Sequence, residues 1–111
     1  MSRTNIDLLQ GTLGVLILKA LSRGPKHGYG IARWIEGHAG EDLPIEEGSL
    51  YPALHRLQAR GLVTSEWTMS DTNRRVKSYT ITDEGRVRLK AEQSRWADFS
   101  ASITRVLGAR R

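Results

Sequence analysis

Ser49, Tyr51, His55 and Arg56 fall in one short stretch, EEGSLYPALHRLQARGLV (Glu46 to Val63), and all four side chains form hydrogen bonds readily. Arg74, Arg75 and Lys77 follow in a second polar stretch. Hydroxyls, an imidazole and cations in two neighbouring segments suit the holding of phosphate oxygens and other polar edges. Lys26 and His27 could add phosphate contacts at the entrance of another helix, although polar residues are common at helix entrances in any case. Bond-making chemistry lacks its parts. The three histidines, His27, His38 and His55, are scattered, with no cysteine and no paired carboxylates beside them, so no metal site is expected. No Ser/His/Asp set and no G-x-x-x-x-G-K-[ST] loop is legible, so neither catalysis nor a cofactor is expected.

These side chains need elements to hold them. Leu50, Leu54 and Leu57 recur at i, i+4, i+7, which predicts a helix with Ser49, His55 and Arg56 on its polar side and Tyr51 nearer the edge. Gly61, able to take the left-handed conformation, ends it. Pro52 cannot donate to the Gly48 carbonyl, so either Gly48 lies in an irregular first turn or the helix bends there. Upstream, Leu8 to Leu21 reads as a helix that is apolar nearly all round. Leu9, Leu13, Leu16 and Ile17 share one face, with Val15 and Leu18 on other sides. Ser22-Arg23-Gly24-Pro25 breaks it, and a second helix from about Gly28 to Gly37 turns Ile31 and Ile35 inward. After Gly61 the pattern changes. Leu62 to Thr68 and Val76 to Ile81 suit strands, and Met69 to Arg75 reads as a long, basic hairpin tip. Thr82 is the expected N-cap of a last helix reaching about Leu107, with Asp83 and Glu84 favourable in its first turn.

The totals set bounds. A chain of 111 residues, 39% apolar and 26% charged, is enough for one soluble globular domain. Such a domain can hardly cover a helix that is apolar on every side, so part of the first helix is expected to meet a second chain. A net charge of +5 and a pI near 10.1 favour a polyanionic partner, though weakly. The absence of cysteine excludes disulfides and fits a reducing compartment. The apolar run near the start, about nine residues, is far short of the ~20 that cross a bilayer. With Asp7 and no small-residue cleavage pattern, it reads as a folded helix and not as a signal peptide.

Three helices followed by a basic hairpin is the order of a winged helix-turn-helix, a mainly α fold with a β-hairpin wing. In that geometry the third helix enters the major groove of double-stranded DNA with its first turn nearest the bases. Gly48 lets the backbone come close, and the wing offers Arg74, Arg75 and Lys77 to phosphates or the adjoining minor groove. The expected organisation is a DNA-binding part, residues 1–82, and a C-terminal helix, residues 83–111, in one compact unit.

The phrases GPKHGYGI (Gly24 to Ile31), EEGSLYPALHRLQARGLV and NRRVKSYTITDEG (Asn73 to Gly85), with Trp96 alone in the last helix, resemble the PadR family of bacterial transcriptional regulators. The resemblance covers nearly the whole chain and is closest to the small members with one C-terminal helix. It implies a cytoplasmic homodimer, usually a repressor, on inverted-repeat operator DNA and so on the nucleoid. It further implies dimerisation by the last helix against the partner's first helix, and, in several members, a response to phenolic acids or flat aromatic drugs. Trp34, Val76 and Gln58 depart from the usual pattern, and Trp34 and Trp67 are expected to pack.

Leu89, Trp96 and Ile103 repeat every seven residues, with Phe99 and Val106 as the companion row that Glu92 interrupts, the seam of a helix pair. Leu9, Leu13 and Leu16 are the matching interface residues of the first helix. Trp96 is then either a large anchor of that interface or, with its twofold mate, one wall of a slot for a planar aromatic inducer. In the second case Leu8, Val15 and Leu18 would supply the apolar walls. Two other readings stand beside the regulator: a winged-helix protein-interaction adaptor with an apolar patch in place of the basic face, and a small-molecule binding protein without specific DNA binding.

Overall fold

A computed structural model describes residues 12–40 and 43–110. Helix α1 (Leu13–Leu21) lies at the heart of the fold, with Ile17, Leu18 and Leu21 almost wholly removed from water. It is followed by β1 (Lys26–His27), α2 (Gly28–Ala39), α3 (Glu47–Ala59), β2 (Val63–Met69), β3 (Arg75–Ile81) and α4 (Asp83–Leu107). Ile31 and Ile35 of α2, Leu50, Ala53, Leu54 and Leu57 of α3, and Val63, Tyr79 and Ile81 of the sheet close around α1. The fold is thus mainly α with a wing. Among the described residues no helix is long and apolar enough to cross a membrane.

The strands form one antiparallel sheet in the order β1-β3-β2, with Val63 opposite Ile81 and Met69 opposite Arg75. The third strand is not foreseen by the pattern: two residues are too few to show alternation, and β1 exists only because Lys26 and His27 pair with Tyr79 and Ser78. The wing tip also differs from the expected long loop. The Ser70 carbonyl accepts from the Asn73 amide at 2.9 Å and the Ser70 amide donates to the Arg74 carbonyl at 2.8 Å. Asn73 takes φ 62°, which closes the hairpin over three residues.

Burial and bonding within the chain bear on three of the expected interface and contact residues. Leu13 and Leu89 are only 4% and 6% exposed within their own chain, where both side chains pack in its core. Lys26, expected at a phosphate, instead donates from Nζ to the carbonyls of Ala20 (2.9 Å) and Gly24 (3.4 Å), satisfying the end of α1. Burial, then the nearby Arg23 charge, hold its pKa below the usual lysine value. Leu16 is half-buried against the core, and Leu8 and Leu9 lie outside the described residues.

One junction fixes the relation of α3, wing and α4. Helix α3 ends with Gly61 at φ 76°, its amide on the Gln58 carbonyl (3.0 Å) and the Leu62 amide on the Leu57 carbonyl (3.0 Å). That is a Schellman termination, sealed by the buried pair Leu57 and Leu62. Thr82 then caps α4 as its sequence position predicts: its hydroxyl accepts from the Gly85 amide at 2.9 Å and donates to the Gly61 carbonyl at 2.7 Å. Gly85 sits against the Leu62 carbonyl, and a Cβ there would collide with that oxygen and with Ile81. Gly85→Ala should therefore destabilise the fold by about 1–3 kcal/mol, despite the better helix propensity of alanine. A lower urea midpoint at unchanged slope is the expected result.

Candidate nucleic-acid interface

At 100° per residue, the buried row Leu50, Ala53, Leu54 and Leu57 fixes which side of α3 faces water. Pro52 and His55 lie opposite that row, Ser49 and Arg56 flank one side, and Tyr51 flanks the other. All five are exposed. Gly48 stands in the first turn, and a Cβ there would meet nothing within 4 Å. Nothing inside the chain requires glycine at that position, and with Pro52 it leaves the start of α3 open to close approach.

Tyr51 turns back over the start of α2. Its Cε1 and Cζ lie 2.8 Å from where a Gly28 Cβ would stand, so glycine there makes room for the ring. The ring thereby joins a cleft of about 440 Å³ whose other walls include His27, Tyr29, Trp67, Arg75, Lys77 and Tyr79. Burial, and next the Tyr51 phenol, hold the Tyr79 pKa above its ordinary value, so Tyr79 stays a neutral packing group. His27 acts as the N-cap of α2: its Nδ1 accepts from the Gly30 amide at 3.2 Å, while its ring stacks on Tyr29 at 6.5 Å between centroids.

The wing brings its cations to the same side. Residues 63, 79 and 81 face the core, and the same face of the sheet continues beyond it as Trp67, Arg75 and Lys77. Arg74 sits at the closed tip, its amide on the Ser70 hydroxyl at 3.2 Å. Of the predicted residues, Tyr51 of α3 and Arg75 and Lys77 of the wing line one cleft with His27, Ser49, His55, Arg56 and Arg74 are exposed, and Lys26 is tied into the fold. Two aromatic members of this cleft were missed. Trp67 was expected to pack and is exposed, because the sheet runs past the edge of the core there. Tyr29 stands exposed beneath the Arg33 guanidinium, 5.3 Å from its ring. The alternation of residues 63, 65 and 67 was the available signal for Trp67, but it names the face and not where the core stops. Trp34 does pack: it is half-buried, with the His38 ring 4.0 Å away. Gln58 accepts from the Ser65 hydroxyl at 3.0 Å, a link between α3 and β2.

At the other end, Trp96, Phe99, Ile103, Val106 and Leu107 leave a long apolar stripe of α4 in water. Its beginning borders a groove of about 430 Å³ lined by Val15, Leu18, Leu57, Trp96 and Phe99, with Glu92 on its wall held between Arg88 (3.2 Å) and Arg95 (3.1 Å). Val15, Leu18 and Trp96, named from sequence as pocket residues, are therefore adjacent.

Comparison with known proteins agrees with this architecture. Residues 17–91 match the transcriptional regulator PadR-like family. The chain is 32% identical over 73 residues to the negative transcriptional regulator PadR of Bacillus subtilis, a match covering 66% of this chain and 40% of that protein. A transcriptional regulator from Clostridium thermocellum superimposes with a TM-score of 0.81 at 30% identity, over 89% of this chain and 96% of that one. A PadR family transcriptional regulator from Eggerthella lenta gives 0.79 at 33% identity, over 94% and 88%. The shared winged fold and these matches make the chain a member of the PadR-like family of DNA-binding transcriptional regulators.

Proposed function

We propose that the protein is a homodimeric repressor that reads a palindromic operator in the cytoplasm, on the nucleoid, and is released by a planar aromatic molecule. The observation that carries the DNA reading is the cleft where Tyr51 of α3 meets Arg75 and Lys77 of the wing, with Ser49, His55, Arg56 and Arg74 also exposed. A protein-interaction adaptor would carry an apolar patch in place of these cations. Repression follows the Bacillus subtilis relative, itself a negative regulator. Selection from a random duplex library should enrich an inverted repeat, bound with a steep salt dependence. Arg75→Ala should weaken binding and lower the salt slope by about 0.9 for the phosphate it no longer neutralises. Gly48→Ala should leave the fold as stable or more so, by up to about 1 kcal/mol, while weakening operator binding. Absence of any enriched motif would refute sequence-specific regulation, and full binding by Gly48→Ala would refute the close approach at the start of α3.

The exposed stripe of α4 supports the dimer. Trp96, Phe99, Ile103 and Val106 recur at three- and four-residue intervals, the spacing of a helix pair, with no covering element among the described residues. Ile103→Asp should yield monomers in sedimentation equilibrium, since an unpaired carboxylate would be buried in the seam. A dimer of unchanged affinity would place the interface elsewhere.

The groove beside Trp96 supports the effector reading, its accessible apolar walls coming from Val15 and Phe99. A release mechanism requires that the ligand bind better to a form whose recognition helices no longer match the operator. Flat aromatic compounds should quench Trp96 fluorescence at the concentrations that free the duplex. Release without a change at Trp96, or quenching without release, would contradict it.

A further inference from the structure

Trp67 is 58% exposed on the wing, an unusual place for so large an apolar ring. Two cations cover it in place of a core. The Arg75 guanidinium carbon lies 4.7 Å from the ring centroid and the Lys77 ammonium 5.6 Å, both within the ~6 Å reach of a cation–π contact. The strand register explains the grouping. Trp67 stands directly opposite Lys77, and Arg75 is one diagonal step away on the same face, opposite Met69. Among the described residues, neither cation has a carboxylate partner, so the ring orders them while their charge stays unneutralised.

We propose that Trp67 is a positioning residue of the DNA interface, its indole holding Arg75 and Lys77 at the cleft opposite Tyr51, ready for the phosphates of one strand. The proposal rests on the regulator reading above and adds a residue to it. A lysine or arginine free on a hairpin samples many rotamers, and fixing it on a phosphate loses that freedom. Contact with the ring restricts the side chains before DNA arrives. A guanidinium lying over a ring keeps its N–H edges for an oxygen, and an ammonium keeps its donors, so ring and phosphate are bound together. The cleft is aromatic and cationic around this pair, with Tyr29, Tyr51 and His27 also lining it.

The test has a part that needs no DNA. In the free protein, NMR should find the side-chain methylene protons of Arg75 and Lys77 shifted upfield by the indole ring current, and Trp67→Ala should remove those shifts. Unshifted protons would overturn the proposal whatever the protein binds. With a duplex recovered by selection, Trp67→Ala should weaken binding about 3- to 10-fold. Trp67→Phe, which keeps a ring and serves if the alanine variant folds poorly, should recover most of that loss. Combining Trp67→Ala with Arg75→Ala should weaken binding by less than the product of the separate losses. Independent losses would mean that Trp67 acts without Arg75. A lower urea midpoint with unchanged affinity would make it a hairpin stabiliser only. Either result overturns the proposal and leaves the regulator intact, whereas a protein that binds no duplex selectively removes both.

Discussion

The Thr82 hydroxyl is where the molecule's parts are held in register. It bonds the last carbonyl of the α3 termination at Gly61 and the first-turn amide of α4 at Gly85, while its own backbone amide donates to the Leu62 carbonyl at 3.1 Å. The exit of the recognition helix, the base of the wing and the entry of the long helix therefore meet within one small set of hydrogen bonds. Gly85 allows that meeting, since any side chain would strike the Leu62 backbone. The direction in which α4 leaves the domain is set there, and with it, in the proposed dimer, the separation of the two recognition surfaces.

From that junction the molecule presents two surfaces of different chemistry. One combines the polar stripe of α3 with the cations and aromatic rings of the wing. The other is the apolar stripe of α4 from Trp96 to Leu107, carried outward in a body 60 Å long and 20 Å thin. Of the large exposed aliphatic side chains of α4, Ile103, Val106 and Leu107 lie at its far end, away from the first turns that Gly85 and Leu89 anchor in the core. In the proposed dimer, a groove beside Trp96 and a recognition helix some distance away would be connected through one rigid helix. A ligand that favours one tilt of that helix would alter the fit to DNA.

Much of this was legible in the sequence. Apolar spacing located α3, and Gly61 located its end because few residues other than glycine readily occupy a positive φ there. Thr82 announced α4 by the oxygen an N-cap needs. The misses have physical causes. Strand β1 is held by partners distant in sequence, so two residues carried no local signal of it. Leu13 and Leu89 fit a dimer seam by spacing alone, but spacing cannot say which turn of a helix the chain's own core covers. Lys26 is indistinguishable in sequence from a phosphate-binding lysine until the end of α1 is seen beneath its ammonium. Trp67 carries the alternation of a core residue, and only the point where the core stops turns it into a surface group.

Hydroxyl-radical footprinting of a selected duplex tests most directly whether the α3–wing surface is the DNA-reading face of a twofold assembly. The account predicts two protected patches centred about one helical turn apart, each flanked by wing protection that disappears in Arg75→Ala. A single patch, or uniform weak protection unaffected by Arg75→Ala, would contradict it.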